Sequence, residues 1–246
     1  MKHFKNFKTC VYCTAQTLAS LDETTLARDY AYLEKYVGID KVYLETYRDG
    51  TWVAIDHMKM IQNFFKEHGV EIAGGITTVT PPLEKDDVKR QRLFQTFCYS
   101  NEAMRTYLKK IVTYTAELFD EIILDDFFFT SCTCDDCLRE RSNLSWAEFR
   151  SNKMIDVAEN LVLKPAKLAN PSVKVTIKYP NWRESYHETG YVPKIQPSMF
   201  DKIYTGTETR NTAHTDQHLP RYLSYSIMRY MEHVAPGRNG GGWFDT

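Results

Sequence analysis

The feature that most constrains the fold of this chain is a regular alternation of short β-branched or aromatic runs with longer amphipathic runs. The short runs predict seven strands, at Thr9–Thr14, Lys41–Tyr47, Glu71–Thr78, Glu121–Phe129, Val173–Tyr179, Asp201–Thr207 and Gly240–Phe244. The longer runs predict helices over Asp22–Val37, Ile55–His68, Asn101–Phe119, from Ser145 to about Leu168, and over Leu219–Val234. Strands and helices at this spacing form βαβ units with a parallel sheet.

Two parallel architectures satisfy this alternation, a closed barrel and an open doubly wound sheet. A doubly wound sheet normally carries a glycine-rich phosphate loop after its first strand, but the turn here is Cys13-Thr14-Ala15-Gln16. A length of 246 residues also suits a single (β/α)8 barrel. We therefore predict an α/β fold of the (β/α)8 TIM-barrel type, as one domain over residues 1–246 with a cysteine-rich loop at 130–140. Because only seven strands are predicted, we expect the barrel to be truncated or incomplete after the seventh.

The charge and hydropathy patterns argue against two classes of partner. The chain has 31 basic and 32 acidic residues, whereas nucleic acids and anionic membrane surfaces attract proteins with a basic excess. No apolar run reaches the roughly 18 residues of a membrane span, and the basic start is not followed by the apolar segment of a signal peptide. We expect no nucleic-acid partner, no membrane span, and a cytoplasmic location unless the sequence is cropped.

Three cysteines cluster in the loop after the fourth predicted strand, as Cys132-x-Cys134-x-x-Cys137. Cys98 lies just before the third predicted helix, and the loops after neighbouring strands of a parallel barrel share one face. Four thiolates that converge there would form a closed tetrahedral zinc site with a structural role. Disulfides or free thiols in this loop are the alternatives.

Two further cysteines, Cys10 and Cys13, form a C-x-x-C sequence on the first predicted strand. A redox-active C-x-x-C normally begins a helix, where the helix dipole lowers the pKa of the thiol. On a strand, the two side chains point to opposite faces. We predict that both are buried core cysteines.

Acidic residues stand at the carboxyl ends of several predicted strands, where parallel barrels carry their chemistry. They are Glu45, Asp125, Asp126, Glu208 and Asp245. The Asp-Asp pair follows three aliphatic residues and precedes three phenylalanines, and desolvation there raises the pKa of a carboxyl group. Such a group can serve as a general acid near neutral pH. Because side chains alternate along a strand, we expect only one of the two to face the barrel interior.

Two opposed carboxyl groups, one protonated and one ionised, are the equipment for cleaving a glycosidic bond. We predict that Asp126, or Asp125 if the strand register shifts by one, works with Glu208 across the barrel mouth. Arg210 would keep Glu208 ionised, and Asp245 is the substitute partner. The predicted substrate-binding residues are Glu45, Arg210 and the aromatic residues Tyr47, Tyr179, Trp182, Tyr204 and Trp243, with Trp52 as a further sugar platform.

The stretch Phe97–Arg150 resembles glycoside hydrolase family 42, the β-galactosidases with a zinc cluster. The similar motifs are Phe97-Cys98-Tyr99-Ser100, the C-x-C-x-x-C run and the helix start Ala147-Glu148-Phe149-Arg150. The resemblance implies a barrel fold, a zinc site and a carbohydrate substrate. The family ends its fourth strand in Asn-Glu and has a glutamate nucleophile on strand seven. This chain has Asp125-Asp126 and Asp245 at those places.

Three functions fit these observations. The first is a glycoside hydrolase that acts on a glycan or oligosaccharide by acid–base catalysis with paired carboxylates. The second is a carbohydrate-binding barrel that has lost the catalytic pair. The third is an isomerase or lyase that uses a divalent ion, but His57, His187, His214 and His218 form no convincing ligand cluster in the sequence.

Overall fold

The computed structural model describes residues 4–80, 92–208 and 222–244, and contains one sheet. The strands are β1 (Cys10–Cys13), β2 (Lys41–Arg48), β3 (Thr51–Trp52), β4 (Glu71–Ile76), β5 (Glu121–Leu124), β6 (Lys174–Tyr179), β7 (Lys202–Gly206) and β8 (Asn239–Trp243). The helices are α1 (Ala15–Ser20), α2 (Glu23–Tyr36), α3 (Ile55–Glu67), α4 (Glu102–Leu118), α5 (Asp135–Arg141), α6 (Trp146–Val157), α7 (Lys164–Ala169), α8 (Tyr186–Thr189), α9 (Gln196–Met199) and α10 (Leu223–Val234). Within the described ranges, every helix is too short or too polar to cross a lipid bilayer.

Seven strands are parallel and lie side by side in the order β1-β2-β4-β5-β6-β7-β8, while the short β3 pairs antiparallel with β2. The sheet curls far enough for Tyr12 of β1 to meet Trp243 of β8, with ring centroids 5.0 Å apart. No backbone ladder joins β8 to β1 among the described residues. The predicted (β/α) barrel fold, incomplete after the seventh parallel strand, is confirmed.

The two faces of the sheet form separate cores, as the alternation of side chains along strands requires. The inner face packs Tyr43, Ala73 and Ile123 against Tyr12, Tyr204 and Trp243. The outer face packs aliphatic residues of the same strands against the helices. Gly75 makes room inside the barrel, because a Cβ atom there would lie 2.7 Å from the Tyr12 hydroxyl.

The helix starts follow the capping residues in the sequence. Asp22 caps α2 and Ser145 caps α6, each in a reciprocal capping box. The long helix predicted from Ser145 is interrupted by a π-helical turn over Ala158–Leu163. Pro165 follows at the start of α7, and proline can neither donate to the carbonyl four residues earlier nor fit against it. The π-helical turn is wider than an α-helical turn and accommodates the hydrogen bond that Pro165 cannot donate.

Two sequence predictions about strands are wrong in detail. The fourth predicted strand stops at Leu124 instead of Phe129, because residues 125–128 form a turn. In that turn the Asp125 carboxylate accepts from the Asp126 amide at 2.9 Å, and the Phe128 amide donates to the Asp125 carbonyl at 3.1 Å.

The two cysteines of β1 are not buried core residues. Cys10 is exposed and Cys13 is half-buried. The physical reason is that β1 is an edge strand of the sheet and Cys10 is its first residue, so neighbouring elements cover it incompletely.

Candidate active site

A buried lysine that the sequence analysis did not single out organises the strand ends. The Lys178 side chain, on β6, is 3% exposed, and its Nζ lies 3.2 Å from Asp125 Oδ1, 3.1 Å from Asp126 Oδ2 and 3.0 Å from Glu208 Oε1. The same ammonium stands 4.2 Å from the ring centre of Trp243, a favourable cation–π distance. Acids that follow β5 and β7 therefore converge on one cation.

A second cation extends this arrangement toward β1. Arg48 Nη2 lies 2.9 Å from Asp125 Oδ2, and Arg48 Nε lies 2.9 Å from Glu45 Oε2. Glu45 is fully buried and also accepts from the Tyr12 hydroxyl at 2.6 Å and the Ala15 amide at 2.7 Å. Its oxygens are therefore already bound by protein groups, which makes Glu45 an organising residue in this structure. We call Glu45, Arg48, Asp125, Asp126, Lys178 and Glu208 the carboxylate cluster.

The carboxylate cluster holds four acids and two bases, and the environment separates the two aspartates. Burial opposes ionisation of Asp125, but Lys178 and Arg48 outweigh it and lower the pKa of Asp125 to about 2. Burial, together with the charges of Asp125 and Glu208, raises the pKa of Asp126 to about 7, although Lys178 opposes this rise. The carboxylates in turn raise the pKa of Lys178 despite its burial. Near neutral pH, Asp125 is therefore ionised, whereas Asp126 is partly protonated.

Both aspartates contact Lys178, so the expectation that only one faces the interior is wrong. The alternation rule applies within a strand, and β5 has already ended at Leu124. The Tyr191 hydroxyl donates to the Asp126 carbonyl at 2.7 Å and so stabilises the turn that follows β5. The Asp126 side chain is 17% exposed, more than any other acid of the cluster.

Glu208 is positioned by the chain that leaves β7. Asn181 Nδ2 donates to the Glu208 carbonyl at 3.0 Å. A Cβ atom at Gly206 would lie 2.6 Å from Glu208 Oε2, so a glycine is needed for the observed side-chain position. The predicted site residues Arg210 and Asp245 lie outside the described residues.

The aromatic residues predicted to bind sugar fall into three groups. Trp243 and Trp182 are half-buried, and Trp243 covers Lys178. Tyr204 lies inside the barrel with its hydroxyl 3.2 Å from that of Tyr43, which also donates to Glu121 at the opposite end of the strands.

Tyr47 and Tyr179 correct the prediction, because both are fully buried in the outer core and offer no ring face to a ligand. A register shift between Glu45 and Tyr47 turns Tyr47 outward. Tyr179 faces outward because its neighbour Lys178 faces inward. Trp52 also packs in the outer core, where its Nε1 donates to Tyr107 at 2.7 Å.

The four cysteines predicted to bind metal converge, with their sulfur atoms all within 4.8 Å of one another. Cys98 Sγ lies 3.6 Å from the Sγ atoms of Cys134 and Cys137, and these two are 3.7 Å apart. All six cysteines of the chain are free, and a disulfide would need sulfur atoms about 2 Å apart. The disulfide alternative is therefore wrong for this structure, and the cluster could hold a metal ion.

Apolar and aromatic groups enclose this cysteine cluster. Met104, Trp146 and Phe149 pack against it. The guanidinium groups of Arg141 and Arg150 each lie 4.8 Å from the ring centre of Trp146. The cluster is thus shielded from water by side chains that surround it on several sides.

The profile of a protein family described as the catalytic domain of probable glycosyl hydrolases matches residues 1–246. An uncharacterized protein of Saccharolobus solfataricus is 33% identical over 266 aligned residues, which cover 98% of this chain and 43% of that protein. The chain therefore spans less than half the length of this curated relative.

Two solved glycosidases are similar in fold. The β-galactosidase from Rahnella sp. R3 has a TM-score of 0.59 at 11% identity, over 87% of this chain and 41% of that chain. The β-D-glucuronidase of Dictyoglomus thermophilum has a TM-score of 0.52 at 10% identity, over 96% of this chain and 35% of that chain. The structural matches concern the fold alone, whereas the family match extends over residues 1–246 and decides the assignment: the chain belongs to the family of probable glycosyl hydrolase catalytic domains.

Proposed function

We propose that this domain hydrolyses a glycosidic bond with Asp126 and Glu208 as its catalytic pair. The observation that carries the proposal is their shared contact with Lys178, whose Nζ is 3.1 Å from Asp126 Oδ2 and 3.0 Å from Glu208 Oε1. These two oxygens can therefore be at most about 6 Å apart, which is below the roughly 6.5–9.5 Å between the carboxyl groups of inverting glycosidases. A retaining mechanism follows as the preferred form.

The protonation states support a division of roles. Asp126 is partly protonated near neutral pH because burial and two neighbouring carboxylates raise its pKa to about 7, as a general acid requires. It is also the most exposed acid of the cluster and can reach a leaving oxygen. Glu208 pairs with Lys178 as a carboxylate and acts as nucleophile. Asp125, bound by Arg48 and Lys178, is an electrostatic support. Asp245 stays a predicted substitute partner.

A second candidate function is a carbohydrate-binding barrel without turnover. The observation that favours it is again Lys178, because its ammonium occupies the space between the two carboxyl groups. A substrate must then bind on the outer side of Lys178 for both groups to reach it. The half-buried Trp243, which covers the ammonium, supplies an apolar face in either case.

Turnover on a panel of nitrophenyl glycosides distinguishes these functions. With the best substrate, Asp126→Asn and Glu208→Gln should each lower kcat at least about 100-fold, which is the usual effect of removing general acid–base catalysis. Asp29→Asn is the matched control, because Asp29 lies on α2 and forms an ion pair with the exposed Arg28, outside the carboxylate cluster. Undiminished turnover in either site variant would refute the catalytic pair. Sugar binding by a wild-type protein that lacks turnover would favour the second function.

We also propose that the cysteine cluster holds zinc in a structural role. Four sulfur ligands at about 2.3 Å from a tetrahedral zinc ion are about 3.8 Å apart. The separations among the sulfur atoms of Cys98, Cys134 and Cys137, 3.6, 3.6 and 3.7 Å, are close to this value, and the sulfur of Cys132 lies within 4.8 Å of each of them. Four thiolates form a closed shell, so the ion would stabilise the loops and bind no substrate. The resemblance of this region to glycoside hydrolase family 42 stays a prediction. Metal analysis tests the zinc ion that this resemblance implies.

A further inference from the structure

An exposed aromatic ring stands beside the carboxylate cluster and is not used by the function proposed above. Phe94 is 58% exposed. Its ring meets that of Phe127 edge-on, with centroids 5.5 Å apart and planes at 81°. Phe127 directly follows Asp126, and the guanidinium of Arg48 lies 5.5 Å from its ring centre. Phe94 is therefore connected to the carboxylate cluster through Phe127, whose ring lies near Arg48.

The backbone holds this ring in an uncommon conformation. Phe94 has φ 52° and ψ 22°, and the next residue, Gln95, has φ 54°. Bulky residues other than glycine rarely adopt the left-handed region, and two in succession need support from their surroundings.

Hydrogen bonds from two sides supply that support. The Leu93 amide donates to Ser131 Oγ at 2.7 Å, in the loop that follows Asp126. The Thr80 amide and hydroxyl both donate to the Gln95 carbonyl at 3.0 Å, in the segment that follows β4. The turn is thus anchored to the segments after two neighbouring strands. It presents a large apolar ring to solvent at a conformational cost, which packing in the core does not explain.

We propose that Phe94, supported by Phe127, is a platform for the sugar ring on the leaving-group side of the scissile bond. The apolar face of a pyranose stacks on aromatic rings, which line many ligand sites. Asp126 protonates the leaving oxygen in the proposed function, and the ring beyond that oxygen lies on the outer side of Asp126. Phe127 directly follows Asp126, and the exposed Phe94 ring contacts Phe127, so we assign both rings to that side. The assignment of the side rests on the proposed function, whereas the platform itself rests on the exposed ring.

The first test compares substrates with large and small leaving groups. Phe94→Ala should raise KM for a disaccharide about 2- to 12-fold, the range that aromatic contacts provide, with kcat little changed. The glycosyl fluoride of the same sugar has no leaving-group ring, so its KM should not change. Phe94→Trp should keep the wild-type KM. Tyr32→Ala is the control, because Tyr32 is a similarly exposed aromatic on α2. An unchanged disaccharide KM in Phe94→Ala, with turnover intact, would overturn the platform alone.

A second test does not depend on turnover. The fluorescence of Phe94→Trp, relative to Phe94→Ala, should contain a component that responds to lactose or cellobiose at millimolar concentration. The matched Tyr32→Trp variant should add no such component. If the wild type lacks turnover but this component responds, the platform is supported and the proposed hydrolytic function is refuted. If the component does not respond to either disaccharide, the platform is refuted.

A third measurement separates binding from a structural role. Glycine adopts the left-handed region freely, so Phe94→Gly should leave the thermal midpoint of unfolding unchanged or raised, while it weakens disaccharide binding as Phe94→Ala does. A clear fall in the midpoint of Phe94→Gly would mean that the ring serves packing, and would overturn the platform.

Discussion

Replacement of Lys178 by methionine tests the electrostatic account of the site most directly. The variant removes an ammonium that lies within 3.2 Å of three carboxylates, whose side chains are at most 17% exposed, and leaves the apolar stem in place. Removing one partner from a buried ion pair costs about 3–5 kcal/mol of folding free energy, because the remaining charge stays desolvated. We expect Lys178→Met to lose an amount in this range at pH 8.

The loss should depend on pH in a defined direction. Lys178 lowers the pKa of Asp125 and of Asp126, so both folded-state pKa values rise when it is removed. A carboxyl group whose folded-state pKa exceeds its unfolded value, about 4, destabilises the folded protein once the pH is high enough to ionise it. The penalty should therefore be largest above about pH 7 and should shrink as the pH falls toward 4.

Urea unfolding of the wild type and of Lys178→Met at pH 4.5, 6 and 8 measures this dependence. Lys202→Met is the control, because the half-exposed Lys202 lies 3.9 Å from Glu121 and such pairs contribute about 1 kcal/mol or less. A destabilisation below about 1 kcal/mol, or one of equal size at all three pH values, would refute the reasoning.

Three further predictions concern the acid, the metal and the packing around Glu208. The value of kcat/KM should fall as pH rises through about 7, because Asp126, with its pKa raised to about 7, loses its proton, and a flat pH profile there would exclude it as the acid. Purified protein should hold about one zinc per chain, and Cys134→Ser should lower the metal content and the thermal midpoint of unfolding together. Cys10→Ser is the control and should change neither, because Cys10 is exposed and lies outside the cysteine cluster. Gly206→Ala should displace Glu208 and lower kcat, because its Cβ would lie 2.6 Å from Glu208 Oε2 and 2.9 Å from the Tyr179 carbonyl. A crystal structure of that variant with Glu208 unmoved would contradict this explanation.

The fold was predictable because strand and helix periods are local properties of the sequence. Six of the seven predicted parallel strands match the observed bounds to within two residues at each end. The exception, the strand predicted over Glu121–Phe129, continues in the sequence as an apolar run after its backbone has turned away at Asp125. The strand ends where the Asp125 carboxylate accepts a hydrogen bond from the Asp126 amide, and the hydrophobicity of the sequence does not reveal such a bond.

The candidate site was only partly predictable, for a physical reason. The carboxylates could be expected because strand ends share one face of the barrel. Lys178 was missed, although a lysine between Ile177 and Tyr179 in an apolar strand is a detectable signal. Tyr47 was misplaced because a single register shift after Glu45 reverses the face to which it points. Contacts between distant strands and local irregularities of the backbone decide these positions. Neither produces a periodic pattern in the sequence, so neither could be predicted from it.

One loop connects the three features on which the proposals rest. It begins at Asp126, holds the Phe94 turn through Ser131, and continues into the cysteine cluster at Cys132. Arg150 Nη2 donates to the Ser131 carbonyl at 3.2 Å, so the middle of the loop is also tied to α6. If a metal ion holds the cysteines, its removal should loosen Ser131 and, through it, the Phe94 turn.

This coupling predicts the order of events when the metal is removed. The emission that Phe94→Trp adds relative to Phe94→Ala should change when a chelator is added, at temperatures where far-ultraviolet circular dichroism still reports native helix content. The subtraction removes the response of the native Trp146, which packs against the cysteine cluster. The emission that Tyr32→Trp, on α2, adds relative to Tyr32→Ala should not change under the same conditions. An added component in Phe94→Trp that stays constant until global unfolding would mean that the cysteine cluster stabilises the barrel without positioning the site. The distinction matters because a metal that positions the loop would act on substrate affinity as well as on stability, through the hydrogen bond from Leu93 to Ser131.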